Sequence, residues 1–216
     1  MALALAKAGA QLVIHYHSSL GPAQQVIDQI AGLGSTAVAV QADLSQTNQA
    51  QHLVQRAVAE YGSVDILVNS ASIFEPGRWD ETTPAQWDRH FSINLKSPFF
   101  LTQAFAKQVK PQQAAHVVNI ADWRALHPGI DHVAYTLTKA ALVTMTEALA
   151  QALAPNMQVN AIAPGMILPP PGAGPDFFEQ HAAEIPAQRP GSPPEIVKTL
   201  LYLVGTDFVT GELIYV

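Results

Sequence analysis

Three residues in one short segment have side chains suited to moving a proton. The segment NIADWRALHPGIDHVAYTLTK, residues 119–139, contains Asp122, Tyr135 and Lys139. Because Tyr135 and Lys139 are four residues apart, a helix places both side chains on one face. A phenol has a pKa of about 10, and a nearby ammonium favours the phenolate and lowers that pKa. The pair therefore predicts a general acid, although such a pair alone is also typical of a solvated helix edge.

Asp122 lies thirteen positions before Tyr135 and allows three interpretations. Burial beside a substrate would raise the pKa of its carboxyl group, so that the group keeps a proton near neutral pH. An ionised carboxylate would instead accept hydrogen bonds from N–H groups of a substrate. The third interpretation is a cap of a turn or helix. Its register with Tyr135 favours a catalytic role over the cap.

Short apolar runs alternate with amphipathic segments along the chain. Nearly continuous apolar runs are typical of parallel strands that are covered on both faces. Alternation at this spacing predicts an α/β fold with a doubly wound parallel sheet, Rossmann-like, and we expect a single domain over residues 1–216. The carboxyl ends of the strands then share one edge, where ligands bind. The predicted strands are QLVIHY, TAVAVQ, VDILVN, AHVVNIA, MQVNAIA and GELIYV, and the predicted helices cover 2–9, 21–33, 46–61, 84–108, 132–154 and 193–204.

The proline-rich segment APGMILPPPGAGP, residues 163–175, interrupts this alternation. It follows a predicted strand at the ligand edge and is too long and too rich in proline for a simple connection. We interpret it as a lid over the site, with an ordinary surface loop as the alternative.

The composition restricts the classes of function. The 216 residues are 49% hydrophobic and 13% charged, which indicates a folded domain with a substantial core. The formal net charge is −6 and basic runs are absent, so a nucleic-acid partner is not expected. Neither a membrane span nor a signal peptide is recognisable, so we expect a cytoplasmic protein. The sequence has no cysteine, which excludes disulfides, thiolate catalysis and cysteine-bound zinc.

Five segments match, in order, the motifs of one enzyme family. They are DILVNSAS, FSINLKSPFFLTQA, AYTLTKAAL, QVNAIAPG and FVTGELI. Together they resemble the short-chain dehydrogenase/reductase family over nearly the whole chain. The resemblance implies that Tyr135 handles a proton, that Lys139 lowers the pKa of Tyr135 and holds the cofactor ribose, and that Asn94 orders the lysine and a proton-relay water. It also implies that Pro164 and Gly165 lie against the nicotinamide.

Asp122 occupies a position where most members of this family have a serine, and in this respect the chain is similar to the pteridine reductases. The segments HYHSS, NSASIFEP and PGMILPPPG also resemble that subgroup. The resemblance implies a pterin substrate that contacts Ser72, Phe74, Asp122 and Tyr135, with the ring of Phe74 stacked on the pterin. Ordinary packing is the alternative for Phe74. A pterin suits a carboxyl group because its ring nitrogens need a proton as hydride arrives at carbon.

The end of the first predicted strand indicates the cofactor. NAD-preferring sites of this fold have an acid there, whereas this chain offers His15, Tyr16, His17, Ser18 and Ser19. Hydroxyl and imidazole donors suit a phosphate, so NADPH is predicted, although the subgroup often has Arg where Ser18 stands. The histidines have no apparent third ligand, so we predict no metal site. The predicted cofactor contacts are His15, Tyr16, Ser18, Ser19, Asp43, Leu44, Asn69, Ser70, Ala71, Tyr135, Lys139, Pro164, Gly165 and Ile167.

Asp43 also has a second interpretation. The resemblance implies a contact with the adenine, whereas its place in QADLS equally predicts a role at a helix N-terminus. The two roles are compatible.

The family's glycine-rich turn, T-G-x-x-x-G-x-G, and the strand before it do not precede ALALAKAGA. In the family this strand lies in the middle of the sheet, so without it two central strand edges would have unpaired N–H and C=O groups. The sequence also ends just short of the Asp-Gly-Gly that is usual in the family, so we expect the natural chain to extend beyond both ends of this sequence.

The sequence thus predicts an NADPH-dependent reductase of a dihydropterin such as dihydromonapterin or dihydrobiopterin, or of a folate. A generic carbonyl or 3-oxoacyl reductase is the first alternative, and a non-catalytic binding or oligomerisation subunit is the second. The resemblance further implies a homo-tetramer that pairs the helices at 84–108 and 132–154.

Overall fold

The computed structural model describes residues 1–111, 113–169, 174, 176–178 and 182–216. Within these residues the chain forms strands and α-helices in the predicted alternation, with ends that differ from the predictions by one or two residues. The strands are β1 Leu12–Tyr16, β2 Ala37–Gln41, β3 Ile66–Asn69, β4 Ala115–Ile120, β5 Met157–Ala163 and β6 Leu213–Tyr215. The helices are α1 Ala2–Lys7, α2 Leu20–Gly32, α3 Thr47–Tyr61, α4 Pro84–Phe91, α5 Ser97–Gln108, α6 Val133–Leu153 and α7 Pro193–Val204.

The strands are parallel, as predicted, but they form two sheets. β1 pairs with β2, and the other sheet has the order β3-β4-β5-β6. Within the described residues, β1 and β3 each hydrogen-bond to one neighbouring strand only. The two strand edges that the sequence predicts to be unpaired are therefore those of β1 and β3, which belong to different sheets.

The core lies on both faces of β4 and β5. Successive residues of a strand point to opposite faces, so Val117 packs with Phe105 of α5 on one face. Val118 packs on the other face with Leu200 of α7 and Ile30 of α2. All seven residues of β5 are buried. This two-sided burial explains the nearly continuous apolar character of both strands and confirms the doubly wound α/β fold.

The predicted helix over 84–108 is wrong in one respect. A π-helical turn, Ser92–Lys96, separates α4 from α5. The start of α4 is as expected, because Pro84 occupies the first turn and the side chain of Thr83 accepts a hydrogen bond from the Gln86 N–H.

The proline-rich segment begins against the end of the chain. The Gly165 N–H donates to the Val216 carbonyl at 2.7 Å, and the Gly191 N–H donates to the Met166 carbonyl at 2.9 Å. Residues 170–173 and 175 of the predicted lid lie outside the described residues, and the lid stays a prediction. None of the helices in the described part of the chain combines the length and apolar character that crossing a bilayer requires.

Candidate active site

A phenol and a carboxyl group meet at the carboxyl end of β4. The Tyr135 hydroxyl donates a hydrogen bond of 2.7 Å to Asp122 Oδ2. Asp122 follows β4 by two residues and Tyr135 lies in the first turn of α6, so the packing of this helix against the sheet brings the two side chains together. The acid and the phenol therefore lie side by side as predicted, and we call Asp122 and Tyr135 the proton pair.

The second oxygen of Asp122 has a local partner. Asp122 Oδ1 accepts a hydrogen bond of 2.8 Å from the Arg124 N–H and so caps the short 3₁₀ turn Trp123–Ala125. The predicted cap is therefore present and uses one oxygen, while the other oxygen contacts Tyr135, and the catalytic role of Asp122 stays a prediction. The cap fixes the carboxyl group in the orientation in which its other oxygen faces the phenol.

Lys139 lies one helical turn beyond Tyr135 and is almost completely buried, with 3% of its surface exposed. Its Nζ donates to the Ile120 carbonyl at 2.7 Å and lies 5.6 Å from the centre of the Tyr135 ring. Burial lowers the pKa of Lys139 to about 8, while the charge of Asp122 acts in the opposite direction. An ammonium with two further N–H groups is thus held beside the phenol ring.

The pKa of Tyr135 differs from the sequence prediction. We expected Lys139 to lower it, but burial raises it first, and the charge of Asp122 and the hydrogen bond to it raise it further. The charge of Arg124 opposes this rise. Since 7% of Tyr135 is exposed, the phenol keeps its proton in this structure. The hydroxyl therefore donates in its hydrogen bond to Asp122, and its role in a reaction stays a prediction.

Asn94 joins the loop after β3 to helix α6. Its carboxamide accepts from the Ile73 N–H at 2.9 Å and donates to the Ile73 carbonyl at 3.0 Å and to Thr138 Oγ1 at 3.3 Å. Asn94 lies within the π-helical turn between α4 and α5. This local departure from the α-helix directs its buried carboxamide towards the loop. Its hydrogen bonds reach the loop and Thr138, and the predicted ordering of Lys139 by Asn94 stays a prediction.

Phe74 lies beside Tyr135, and 47% of its surface is exposed. The rings of Phe74 and His132 are stacked in parallel, with their centroids 3.9 Å apart. The Phe74 and Tyr135 rings meet edge to face, with their centroids 4.6 Å apart. Two backbone hydrogen bonds between Gly77 and residues 131 and 133 connect the loop to the start of α6. Phe74 therefore lies beside Tyr135 with one of its faces covered by His132, and the predicted stacking of its ring on a pterin stays a prediction. Ser72 is exposed on the same loop.

Sequence reasoning assigned no role to His132 or Arg124, although both flank the active segment. Besides the stack on Phe74, His132 has its Nδ1 2.9 Å from Asp131 Oδ2. The Arg124 guanidinium lies 5.9 Å from the Phe74 ring and 5.6 Å from the Trp123 ring. Their position in the sequence close to Asp122 and Tyr135 was a signal that both could line the site. Their contacts with Phe74 could not be predicted, because Phe74 lies about 50 residues away along the chain.

The predicted cofactor residues follow the ends of four parallel strands, which share one edge of the fold. His15 and Tyr16 end β1, and Ser18 and Ser19 are exposed just after it. The His15 ring lies 2.9 Å from the Ala42 carbonyl, so this histidine is already hydrogen-bonded. Leu44 is buried after β2. The remaining members of this group are Asp43, Asn69, Ser70, Ala71, Pro164, Gly165 and Ile167.

Asp43 has a local partner. Its Oδ1 accepts from the Ser45 N–H at 2.9 Å, and hydrogen bonds from Ser45 lower the pKa of Asp43. Its carboxylate lies 4.0 Å from His17 Nε2. Asp43 does not cap α3, whose N-cap is Gln46, and its carboxylate instead holds the turn that leads into this helix. The contact with an adenine stays a prediction.

Asn69 at the end of β3 is buried and tied into the interior. Its Nδ2 donates to Asn119 Oδ1 at 2.8 Å, and Asn119 donates in turn to Thr146 Oγ1 at 2.9 Å. The Asn69 Oδ1 has no hydrogen-bond partner in the described part of the chain, whereas Ser70 and Ala71 are exposed beside it. Buried acceptors usually have a partner, so this oxygen is an unused contact at the predicted cofactor edge.

The residues at this edge fit a phosphorylated dinucleotide. Exposed hydroxyl groups follow β1 where an acid would face an NAD ribose, and His17 between them and β1 lies 4.0 Å from the carboxylate of Asp43. Residues 1–111, 113–169 and the other described segments contain no group of three His, Asp or Glu side chains that could hold a metal ion.

The chain is similar to known proteins along its whole length. The family described as Enoyl-(Acyl carrier protein) reductase matches residues 1–216. The chain belongs to the short-chain dehydrogenase/reductase family. The 2-dehydro-3-deoxy-D-gluconate 5-dehydrogenase of Escherichia coli (strain K12) is 34% identical over 224 residues, which cover 100% of this chain and 87% of that enzyme. The Hydroxynaphthalene reductase-like protein Arp2 of Metarhizium anisopliae is 36% identical over 200 residues, which cover 90% of this chain and 71% of that protein.

Among solved structures, this short-chain dehydrogenase/reductase is similar to FolM Alternative dihydrofolate reductase 1 from Brucella canis complexed with NADP. The two chains are 37% identical and superpose with a TM-score of 0.91. The match covers 99% of this chain and 86% of the Brucella chain. The predicted family and fold are confirmed.

Proposed function

We propose that this protein is an NADPH-dependent pterin reductase that converts a dihydropterin to the tetrahydropterin. Its substrates would be dihydromonapterin, dihydrobiopterin or a dihydrofolate. The observation that carries the proposal is the 2.7 Å hydrogen bond between the Tyr135 hydroxyl and Asp122. The similarity to an alternative dihydrofolate reductase that binds NADP supports both the cofactor and the substrate class.

Bound NADPH supplies the hydride that reduces the pterin carbon. Lys139 and the exposed residues after β1 and β3 would hold it, including Ser18, Ser19 and Ser70. The two N–H groups of Lys139 that remain after its bond to Ile120 suit ribose hydroxyls. The unpartnered Asn69 Oδ1 offers an acceptor at the same edge.

Tyr135 and Asp122 handle the proton that must accompany the hydride. Tyr135 is the proton donor, because burial and the carboxyl group keep its hydroxyl protonated. Transfer of that proton to a pterin nitrogen leaves a phenolate beside Asp122. Asp122 is half-buried and in contact with solvent, so its carboxylate takes up a proton from the solvent and passes it to the phenolate across the 2.7 Å contact, which leaves Asp122 ionised again for the next substrate. Lys139 stabilises the phenolate while it exists.

Asp122 also explains why a pterin is favoured over a ketone. A ketone reductase needs a hydrogen-bond donor at the carbonyl oxygen, and a serine hydroxyl supplies one. An ionised carboxylate has no proton to donate, whereas it accepts hydrogen bonds from the amino and N–H groups of a pterin. The similarity to a hydroxynaphthalene reductase-like protein is the observation that keeps a carbonyl substrate as the second candidate.

A substrate panel tests the proposal. The protein would be mixed with NADPH and a dihydropterin, a dihydrofolate or a ketone, and NADPH oxidation followed by absorbance. We expect turnover of pterins and little turnover of ketones. The variant Asp122→Ser should lose pterin turnover while its NADPH affinity, measured by fluorescence titration, is unchanged. Turnover of ketones alone would reject the proposal, and failure to bind NADPH would support a non-catalytic subunit.

We further propose that the protein acts as a cytoplasmic homo-tetramer. Large apolar side chains are exposed on the two helices that the resemblance implies as the interface. Phe99 on α5 is 38% exposed and Leu137 on α6 is 43% exposed. Light scattering coupled to size-exclusion chromatography would measure the assembly, and Leu137→Glu should reduce its mass.

A further inference from the structure

A cationic side chain borders the proton pair and has no part in the mechanism above. Arg124 lies two residues after Asp122, and its own backbone N–H holds Asp122 Oδ1 at 2.8 Å. The guanidinium group is therefore attached to the same short turn as the catalytic carboxyl group. Any group that Arg124 binds is brought to a fixed place relative to the proton pair.

Two exposed aromatic rings flank the guanidinium. The ring of Phe74 is 5.9 Å from it and the ring of Trp123 is 5.6 Å from it. These residues are 47% and 41% exposed, so the rings and the cation together form an accessible surface. Such a surface suits a ligand with both a flat aromatic part and an anionic part.

The position of the guanidinium is fixed by its surroundings. Asp131 accepts two hydrogen bonds from it, at 2.6 Å and 3.3 Å, and these hold the pKa of Asp131 at about 2. Gly129 leaves room for it, since a Cβ atom there would lie 2.5 Å from Arg124 Nη1. A guanidinium has five N–H donors, so three remain after the two bonds to Asp131. Those donors are preorganised for a planar acceptor such as a carboxylate.

Arg124 is the more accessible of the two cationic side chains next to the proton pair. The other cation there, Lys139, is 3% exposed and bonded to Ile120, whereas the Arg124 side chain is 21% exposed. The protein has a net charge of −6, so an anionic substrate gains little from the overall field. Attraction of an anion to this site therefore depends on a local positive charge.

We propose that Arg124 selects pterins that carry a carboxylate tail, as folates do, over pterins with a neutral side chain. This inference rests on the proposed pterin reductase function. Arg124 is the specificity-determining residue, and Asp131 limits its effect by occupying two of its donors and adding a negative charge.

Binding measurements test this inference without requiring turnover. Isothermal titration with folate and with neutral biopterin, in the presence of NADP, would give the two dissociation constants for each variant. We expect the protein to bind folate more tightly than biopterin. Arg124→Gln should weaken folate binding by about tenfold, or about 1.4 kcal/mol, and leave biopterin binding nearly unchanged, because biopterin has no carboxylate for the guanidinium to bind.

Two further variants show whether a change in folate binding comes from the Arg124 guanidinium itself or from a general change in charge or structure. Asp131→Asn should increase the preference for folate, because it frees the guanidinium and removes an opposing charge. Arg56→Gln, the matched charge change at an exposed position on α3, should leave both constants unchanged. If Arg124→Gln and Asp131→Asn weakened both ligands equally, or if the protein bound both ligands equally, the inference would be overturned.

The same variants distinguish this inference from the proposed function. Turnover of dihydrofolate and dihydromonapterin, with equal losses in Arg124→Gln, would reject the inference and leave the function intact. Tight folate binding that depends on Arg124, with no turnover of any pterin, would reject the function and leave the recognition intact.

Discussion

The two halves of the fold hold their functional residues in different ways. The half around β4, β5 and α6 carries Asp122, Tyr135 and Lys139, and every residue of β5 is buried. In the other half, the ten residues of β1 and β2 include only two buried ones, Leu12 and Val40, and Ser18 and Ser19 are exposed to solvent. Asp122 and Tyr135 thus lie on a close-packed scaffold, whereas the residues proposed to bind the cofactor phosphate lie next to strands that are mostly only half-buried. Changes in the first half should alter chemistry and stability, and changes in the second half should alter cofactor affinity.

The largest expected effect is on the rate of the chemical step. Tyr135→Phe removes the proton donor and should lower kcat by about 10²–10⁴-fold, the range for a general acid. The matched control is Tyr61→Phe in the other half, where the hydroxyl donates to the Leu12 carbonyl at 3.3 Å. That variant should keep its kcat. Steady-state kinetics with NADPH and dihydropterin measure both, and a similar loss in both variants would contradict the division between the halves.

Stability should divide in the same way. Ile162→Ala on β5 removes a fully buried side chain, and we expect a loss of about 2–5 kcal/mol in the free energy of unfolding. Ile14→Ala makes the same change on β1, where the residue is only partly buried, and should cost less. Denaturant unfolding compares them. Equal losses would mean that β1 is as well packed as β5.

The sequence predicts the first half better because its geometry is local. The helical repeat alone puts Tyr135 and Lys139 on one face, and strand followed by helix explains why Asp122 faces the phenol. The π-helical turn around Asn94 was not predictable, because it depends on hydrogen bonds to Ile73 from another segment. The rise in the Tyr135 pKa was likewise hidden, since the depth of burial follows from packing and not from residue spacing.

Lys139 predicts a pH dependence that belongs to the catalytic half alone. Its pKa is about 8 in the folded protein against a reference of 10.5, so the unfolded chain binds more protons above pH 8. Stability should therefore rise by about 2 kcal/mol as the pH rises from about 8 to about 10, and this gain is lost again as the pH falls from about 10 to about 8. Unfolding curves across this range test it. Lys139→Met should abolish the rise, and a rise that persists in that variant would assign it to another group.

The smallest expected effect is a gain of cofactor affinity in the other half. Ser18→Arg places a guanidinium beside the exposed hydroxyl groups after β1, where it can form charge-assisted hydrogen bonds to the 2′-phosphate of NADPH. We expect the Kd for NADPH to fall by about tenfold, because such bonds contribute about 1.5–3 kcal/mol. The affinity for NADH, which lacks that phosphate, should not change, and kcat should stay the same because β4 and α6 alone hold the proton pair. Fluorescence titration with both cofactors decides this, and an equal gain for NADH would mean that the arginine acts elsewhere than at the phosphate.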